Sequence, residues 1–291
     1  MNASRSGWIG FLYVAPALLF VLAFVFYPLG QLVSTSLTNA SLLGGNEYQG
    51  FRNYIKAYHD PAVWNALGFT LKYTLFITPI LMGLGYGLAL LTSGSSALAR
   101  LTRTIAFLPV VIGLGTSSLM WFWLFDEQVG LVNKLLQDLG LIAQPLVWFA
   151  SAELGLWAVI ISVVWKVVGF GMILFVASIQ SISPEIGEAA LIDGAGYWAR
   201  VRKIILPLTY RTILLTTLVS VIGSMLAFDQ FYIMTAGGPK SQTFTAVYWI
   251  YQNSFIYFKL GYGATLSLLL MMIVFAAAAI QLLLTRRRAD A

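Results

Sequence analysis

The chain has 291 residues, of which 59% are hydrophobic and only 10% are charged. Soluble domains carry roughly 25% charged residues, so this composition excludes an ordinary water-soluble globule. There is no cysteine and a single histidine, His59. Disulfide frameworks, thiolate metal sites and chemistry that needs two histidines are therefore excluded, and we predict no metal site.

The apolar residues occur in long blocks that are almost free of charge. A membrane-spanning helix needs about 20 predominantly apolar residues. The six predicted spans are approximately 8–36, 69–92, 104–125, 154–180, 204–229 and 263–285. The first run is longer than the apolar region of a signal peptide and lacks a small-x-small cleavage pattern, so we interpret it as a retained span. The sequence predicts an all-α polytopic membrane protein, with one transmembrane domain over residues 1–291.

The distribution of basic residues predicts the orientation. Nine of the 17 lie in the inner segments 1–7, 93–103, 181–203 and 286–291. Five lie in the longer outer segments 38–68, 126–153 and 230–262. The positive-inside rule therefore places both termini in the cytoplasm. The net charge of +6 reflects topology and not nucleic-acid binding.

Each outer segment contains a local signal. Asp60-Pro61 predicts the start of a short helix in the first. Apolar residues between Leu131 and Leu139 recur at helical spacing in the second, which predicts a short amphipathic helix. Gly237-Gly238-Pro239 predicts a sharp turn in the third. Within the third span, Pro109 with Gly113 indicates either close helix packing or a cavity-lining region.

The fourth span carries Lys166 near its middle, where a charge is costly and usually faces water or a partner. Two interpretations stay open: Lys166 binds the solute, or it pairs with a neighbouring subunit. Trp165 and Phe170 could stack on sugar rings, although most aromatic residues of such a chain serve packing or interfacial belts. Gly169 follows on the same helix, and Asp229 at the end of the fifth span belongs either to an outer gate or to a solvated helix end. These five residues form the predicted substrate pathway.

The inner loop 181–203 contains a short helix that is too polar to enter lipid. Ser183 is a suitable N-cap, Pro184 suits the first helical position, and the helix should end near Gly194. One face carries Ile186, Ala189, Ala190 and Asp193. A capped helix between two spans is suited to contact a cytoplasmic partner.

The same loop carries a recognisable motif. Glu188-Ala189-Ala190, Gly194, Ile204 and Leu206-Pro207 occur at the spacing of the EAA signature, so the chain resembles the binding-protein-dependent ABC importer permeases. The resemblance to the maltose and glycerol-phosphate types extends over Val14-Ala15-Pro16-Ala17, Tyr27-Pro28, Phe51-Arg52-Asn53-Tyr54, Trp165-Lys166, Asp193-Gly194-Ala195 and Gly237-Gly238-Pro239. The Gly-Gly-Pro loop is similar to the maltose-F-type partner, but the short segment 38–68 lacks the large insertion of some such subunits.

The resemblance implies a type I ABC importer permease fold in the inner membrane of a prokaryote. It implies three kinds of partner: a maltose-G-like second permease, two copies of a cytoplasmic ABC ATPase and an extracellular binding protein. The solute would be a sugar, oligosaccharide, polyol or glycerol-phosphate-like molecule. The residues implied in ATPase coupling are Glu188, Ala189, Ala190, Asp193, Gly194 and Pro207. The chain lacks a G-x-x-x-x-G-K-[ST] motif, so ATP and Mg would be bound by the partner, with no cofactor or catalysis in this chain.

Two other classes of protein are considered. A secondary transporter driven by protons or sodium generally needs carboxylates within its spans, and no Asp or Glu lies deep in a predicted span. A membrane-embedded enzyme would need Asp, Glu or His clustered at one membrane face, whereas His59 lies on the predicted outer side. Neither class explains the capped EAA helix.

Overall fold

The computed structural model describes the backbone of residues 3–289 and the side chains of residues 11–283. Regular structure in these residues is helical, apart from one isolated antiparallel bridge between Thr38 and Tyr48. Within this part of the chain, four helices are long and apolar enough to cross a membrane, or up to six if each of two bent pairs forms one span. The chain clusters into two compact units. One comprises the residues up to Val63 with Trp249–Ile273, and the other comprises Trp64–Tyr248 with the residues from Val274.

The first unit begins with a long helix. Helix α1 (Ala3–Val21) continues through a π-helical turn (Leu22–Phe26) into α2 (Tyr27–Ser36). The predicted span over 8–36 matches this element and ends at the same residue. Large apolar side chains along it are exposed, among them Phe20 and Phe24. A helix with this surface is suited to contact lipid.

A second helix of the first unit, α3 (Arg52–His59), closes the end of this span. The buried Asn53 donates from Nδ2 to the backbone carbonyls of Ser36 at 2.9 Å and Thr38 at 2.8 Å. The Tyr54 hydroxyl lies 2.8 Å from Oγ of Ser36. The last carbonyls of a helix lack hydrogen-bond donors within the helix. Asn53 supplies such a donor to the carbonyl of Ser36, the last residue of the first span. The sequence did not predict α3.

Helix α4 (Pro61–Thr92) contains the predicted span 69–92 and begins earlier, at Pro61. The prediction that Asp60-Pro61 opens a helix is confirmed, but the predicted short length is wrong, because the helix continues to Thr92. Oδ1 of Asp60 accepts from the backbone N–H of Ala62 at 3.0 Å, and Pro61 occupies the first helical position. These are start signals for any helix, and they do not specify its length.

The third predicted span, 104–125, is not one continuous helix. Helix α5 (Ala97–Phe107) passes into a 3-10 turn (Leu108–Val111), and α6 (Leu114–Leu124) then leaves at an angle of 101°. Pro109 has no N–H to donate, and Ile112 adopts an extended backbone with ψ of 137°. The helical hydrogen bonding therefore stops at this turn.

The predicted amphipathic helix of the second outer segment is present as α7 (Leu131–Asp138). Its buried Asn133 joins both ends of the segment. Nδ2 donates to the carbonyl of Leu146 at 3.0 Å, while Oδ1 accepts from the Leu146 N–H at 3.2 Å and from Nε1 of Trp148 at 3.0 Å. Backbone N–H groups of Val129 and Gln128 hold the pKa of the nearby Asp126 carboxyl below its usual value.

Helix α8 (Ala152–Gln180) contains the fourth predicted span and supplies much of the core of the second unit. Ser151 is the N-cap residue of α8, and its Oγ accepts from the N–H of Leu154 at 3.1 Å. Met172 and Phe175 are fully buried and pack with Ala89 of α4. The inner loop then forms α9 (Pro184–Ile192).

The fifth predicted span, 204–229, is also bent and ends early. Helix α10 (Tyr197–Arg200), a π-helical turn (Val201–Ile205) and α11 (Leu206–Leu208) meet α12 (Tyr210–Met225) at 69°. Thr209, two residues after Pro207, leaves helical geometry with φ of −91° and ψ of 3°. The predicted helix through Asp229 is therefore wrong, because α12 ends at Met225.

The third outer segment contains helical structure that the sequence did not predict. A π-helical turn (Phe231–Thr235) precedes the expected sharp turn, where Gly237 has a φ of 77°. Helix α13 (Ala246–Tyr251) follows and continues as a π-helical turn (Gln252–Ile256). The last helix, α14 (Leu260–Ala289), contains the sixth predicted span, 263–285.

We expect Asn133→Ala to lower the free energy of unfolding by about 3 kcal/mol, because it removes the partner of the Leu146 carbonyl, the Leu146 N–H and the indole N–H of the buried Trp148. Thermal unfolding of the purified chain in detergent measures the effect. The matched control is Asn65→Ala at an exposed position of α4, which should change stability by less than about 0.5 kcal/mol. Equal stability of the two variants would contradict the assigned role of Asn133.

Candidate functional site

The second unit contains an open cavity of about 230 Å³ between α4, α8 and α12. Its walls are mostly apolar. The polar residues among its lining carry four hydroxyls and one amide: Tyr73, Thr216, Ser220, Ser224 and Gln230. None of the described residues that line it is charged. Such a cavity can hold a neutral solute by hydrogen bonds and apolar contact.

Three of these hydroxyls form a stripe along α12. Thr216, Ser220 and Ser224 are spaced four residues apart and therefore share one helix face. Thr216 and Ser224 donate to backbone carbonyls of their own helix, and Ser220 donates to Oγ1 of Thr78 at 3.3 Å. Because these protons are already used, the oxygen lone pairs remain as acceptors for a solute hydroxyl. The recurrence of Ser and Thr at this spacing was a sequence signal that our prediction did not use.

The lining amide, Gln230, follows directly after a predicted pathway residue. Gln230 is 6% exposed and hydrogen-bonds with the hydroxyl of Tyr73. Asp229 is exposed, lies beyond the end of α12 and does not line the cavity. Its predicted role, in an outer gate or as a solvated helix end, stays a prediction.

Lys166 lies in the middle of α8 and makes a contact within the chain. Its side chain is buried, and Nζ donates to the backbone carbonyl of Val110 at 3.3 Å. Val110 belongs to the turn that breaks the third span, where backbone carbonyls lose their helical partners. Lys166 does not line the cavity. Its two predicted roles, in solute binding or subunit pairing, stay predictions beside this contact.

The other predicted pathway residues divide between packing and the cavity. The ring centroids of Trp165 and Trp121 are 5.7 Å apart in an edge-to-face arrangement. Gly169 faces the backbone of Ala106, where an added Cβ would collide with the carbonyl group. Phe170 is 41% exposed and lines the cavity. Of the five residues, Phe170 is therefore the one that the structure places at the cavity wall.

The inner loop has the capped helix that the sequence predicts. Ser183 occupies the N-cap position, although no side-chain cap hydrogen bond forms there. After Ile192, Gly194 adopts a φ of 74°. The N–H of Ala195 donates to the carbonyl of Ala190 at 2.8 Å, and the N–H of Gly194 to that of Leu191 at 3.0 Å. These two bonds form a Schellman motif, which needs a left-handed residue at the position of Gly194.

The surface of α9 is largely exposed. Ile186, Ala189 and Glu188 face outward, and Ile192 is 87% exposed. Ala190 is buried against the rest of the chain, so it does not share the open face predicted for it. Asp193 is exposed at the C-cap. The open face of α9 therefore combines carboxylates with apolar side chains.

The bend that follows α9 is braced from inside the second unit. Pro207 lies in α11, directly before the break at Thr209. The fully buried Thr209 hydroxyl donates to the carbonyl of Ile205 at 2.8 Å and lies 2.8 Å from the hydroxyl of Tyr86.

In the part of the chain that the structure describes, no cluster of His, Asp and Glu could hold a metal ion.

Helices that can cross a bilayer surround a neutral cavity, which is the architecture of a membrane transport subunit. A family model described as "binding-protein-dependent transport system inner membrane component" matches residues 76–290. The chain belongs to this family. The predicted family, the polytopic ABC type I permease fold and the function of a binding-protein-dependent permease subunit are thereby confirmed.

Curated relatives match nearly the whole chain. It is 33% identical to the sulfoquinovosyl glycerol transport system permease protein SmoG of Agrobacterium fabrum, over 89% of this chain and 84% of that protein. It is 33% identical to the lactose transport system permease protein LacF of Rhizobium radiobacter, over 89% and 87%. It is 29% identical to the sn-glycerol-3-phosphate permease protein UgpA of Pectobacterium atrosepticum, over 91% and 90%. These relatives are named as transport permeases and not as enzymes.

Solved structures share the fold. A chain of a bacterial alginate ABC transporter, in complex with an alginate pentasaccharide-bound periplasmic protein, matches with a TM-score of 0.85 and 20% identity, covering 97% of this chain and 96% of that one. A second alginate transporter structure matches with a TM-score of 0.80 over the same shares.

The contact of Gly169 with Ala106 predicts that Gly169→Ala destabilises the chain by about 2 kcal/mol or more, because backbone atoms must move to admit the methyl group. Gly171→Ala on the same helix is the control, since its Cβ would meet Thr216 at an ordinary 3.7 Å. Thermal unfolding in detergent compares the two variants. If both variants unfold alike, the close approach of the broken span to α8 is not as described.

Proposed function

We propose that the chain is one of two permease subunits of an ATP-driven importer for a carbohydrate, in the inner membrane of a prokaryote. The observation that supports a carbohydrate as the solute is the uncharged cavity with its stripe of hydroxyl-bearing residues on α12. Hydroxyl and amide groups match the donors and acceptors of a sugar or polyol, while the apolar wall suits the carbon faces of the ring. The names of SmoG and LacF support a glycoside or oligosaccharide as solute.

A glycerol-phosphate-like solute is the second candidate, which the likeness to UgpA favours. Because the described lining carries no cation, a phosphorylated solute would need its charge to be balanced by another subunit. The cavity is partly open, as expected for half of a pathway. We propose that a second, maltose-G-like permease completes it.

The coupling proposal rests on α9. Its exposed carboxylate Glu188, its apolar side chains and its rigid C-cap would contact one of two cytoplasmic ABC ATPases, which bind ATP and Mg. Closure of the ATPases would push α9 and change the arrangement of the spans. In this proposal the chain is a non-catalytic transport subunit, and an extracellular binding protein delivers the solute.

Purification of the chain from its native membranes in mild detergent tests the assembly, with the co-purifying proteins identified by mass spectrometry. Recovery of a second permease and an ATPase supports the proposal. The neighbouring binding protein is then screened against neutral sugars, polyols and glycerol phosphates. Solute movement by this chain alone without ATP would instead indicate a secondary carrier.

Gly194→Val should abolish uptake and uncouple ATP hydrolysis from solute, because a β-branched residue at a φ of 74° costs about 1–2 kcal/mol and opens the Schellman cap. The control is Gly196→Val in the same loop, where φ is −65° and no atom lies within 4 Å of an added Cβ. Solute-stimulated ATPase activity and uptake in proteoliposomes measure both variants. A Gly194→Val transporter with normal uptake would remove α9 from the coupling mechanism.

Thr216→Val should raise the apparent KM for the solute about tenfold, since it removes one hydrogen-bond acceptor from the cavity wall. Thr217→Val is the matched control. Thr217 also donates to a carbonyl of its own helix, from Ile213, but does not line the cavity. Uptake kinetics with the identified solute separate the two. Equal KM values would place the solute elsewhere.

A further inference from the structure

The first unit contains a polar pocket, which shares no lining residue with the cavity of the second unit. Its volume is about 300 Å³, and it lies between the segment after α2, helix α3 and the start of α14. Three cations line it: Arg52, Lys56 and Lys259. Neutral polar side chains, including Asn39 and Gln49, complete the wall.

The three cations have no carboxylate partner among the described side chains at ion-pair distance. Nζ of Lys56 lies 4.5 Å from the ring centroid of Tyr262, and Nζ of Lys259 lies 5.6 Å from that of Tyr257. Three like charges around one pocket repel each other unless an anion lies between them. The pocket therefore favours an anionic occupant.

Two carboxylates of this unit, Asp60 and Glu47, lie near these cations in sequence. Both accept hydrogen bonds from other groups. Oδ2 of Asp60 accepts from the Tyr262 hydroxyl at 2.7 Å, and its Oδ1 accepts from the N–H of Ala62 at 3.0 Å. Oε2 of Glu47 accepts from Nδ2 of Asn39 at 3.3 Å. Neither carboxylate lines the pocket. Guanidinium and ammonium groups are donors that bind a phosphate, and no carboxylate lines this pocket.

The position of the pocket indicates where the anion comes from. The candidate spans Phe11–Ser36 and Leu260–Leu283 both have an end at this pocket. The N–H of Gly261 donates to the carbonyl of Ala40 at 2.9 Å, which ties the segment after α2 to the first turn of α14. If these two helices cross the bilayer, their ends place the pocket at the depth of lipid head groups, just beyond the apolar core.

Exposed aromatic side chains lie close in sequence to these cations. Phe51 is 67% exposed, Phe255 56% and Tyr257 47%. Aromatic residues of this kind are enriched at the membrane–water interface, and basic residues beside them attract anionic lipids. We propose that the pocket binds the phosphate group of an anionic phospholipid through Arg52, Lys56 and Lys259. A free phosphate ion has the same chemistry, so the test must separate the two sources.

The test uses the full chain purified in mild detergent with phosphatidylglycerol and phosphatidylcholine in equal amounts, and native mass spectrometry measures the bound lipid. Wild type should retain phosphatidylglycerol over phosphatidylcholine by about tenfold or more. The variant Arg52→Gln/Lys56→Gln/Lys259→Gln should lose this preference. Lys134→Gln/Lys240→Gln, which removes two exposed cations outside the pocket, should keep it. Arg52→Lys/Lys56→Arg/Lys259→Arg, which conserves the charges, should keep it as well.

A second measurement tests whether the pocket binds a free phosphate ion. It compares the unfolding temperature of each variant in inorganic phosphate with that in chloride at the same ionic strength. Stabilisation of wild type and not of the three-glutamine variant, without a lipid preference, supports the phosphate site and assigns its occupant as free phosphate. Equal lipid retention and equal phosphate response in all variants would overturn the proposal. If that result came with loss of binding-protein-stimulated ATPase activity in the three-glutamine variant, the cluster would belong to a protein contact instead.

Discussion

The constraint on which this structure depends is that backbone polar groups inside a bilayer need partners from the protein. A continuous helix satisfies them internally, but a broken helix does not. The chain breaks its third span at the turn Leu108–Val111 and its fifth at Thr209. At the first break, the buried Lys166 donates to the backbone carbonyl of Val110. At the second, the buried Thr209 hydroxyl adds a hydrogen bond to the carbonyl of Ile205, which also accepts from the Thr209 N–H at 2.9 Å. The cost of a charge in the fourth span is offset at least partly by the hydrogen bond of Lys166.

The two breaks shape the second unit around the continuous helix α8. Gly169 lets the backbone of α5 approach α8 more closely than any side chain would allow. On the other side of the unit, α12 brings its hydroxyl stripe to the cavity only after the bend at Thr209. Close packing on one side and a cavity on the other therefore both depend on how the helices are interrupted.

Much of this architecture could be predicted from the sequence, because long charge-free blocks and helix caps are local signals. The spans, α7 and the capped helix α9 follow from them. The bends could not be predicted in the same way. Pro109 and Pro207 indicate weak points, but the angles depend on packing that is distant in sequence. Helix α3 was missed because the carbonyls that Asn53 binds, those of Ser36 and Thr38, are 15 or more residues away in sequence.

The candidate site was predicted less well than the fold. Intramembrane charge directed attention to Lys166, whereas the groups at the cavity are uncharged Ser, Thr, Tyr and Gln side chains. Such residues are common in spans, where they often only hydrogen-bond their own helix, so a single sequence does not distinguish the two uses. The buried Ala190 was assigned to the open face of α9 because helical spacing alone does not tell which side the chain itself covers.

The Schellman motif at Gly194 has a consequence for association. Helix α9 closes its own C-terminal hydrogen bonds within this chain, so in the proposed coupling its backbone is ordered before the ATPase docks. A segment that is already ordered loses little conformational entropy on docking, and more of its contact energy appears as affinity. The same rigidity transmits displacement, since a preformed helix moves as a body when pushed at one end. A disordered loop of the same composition would absorb that motion.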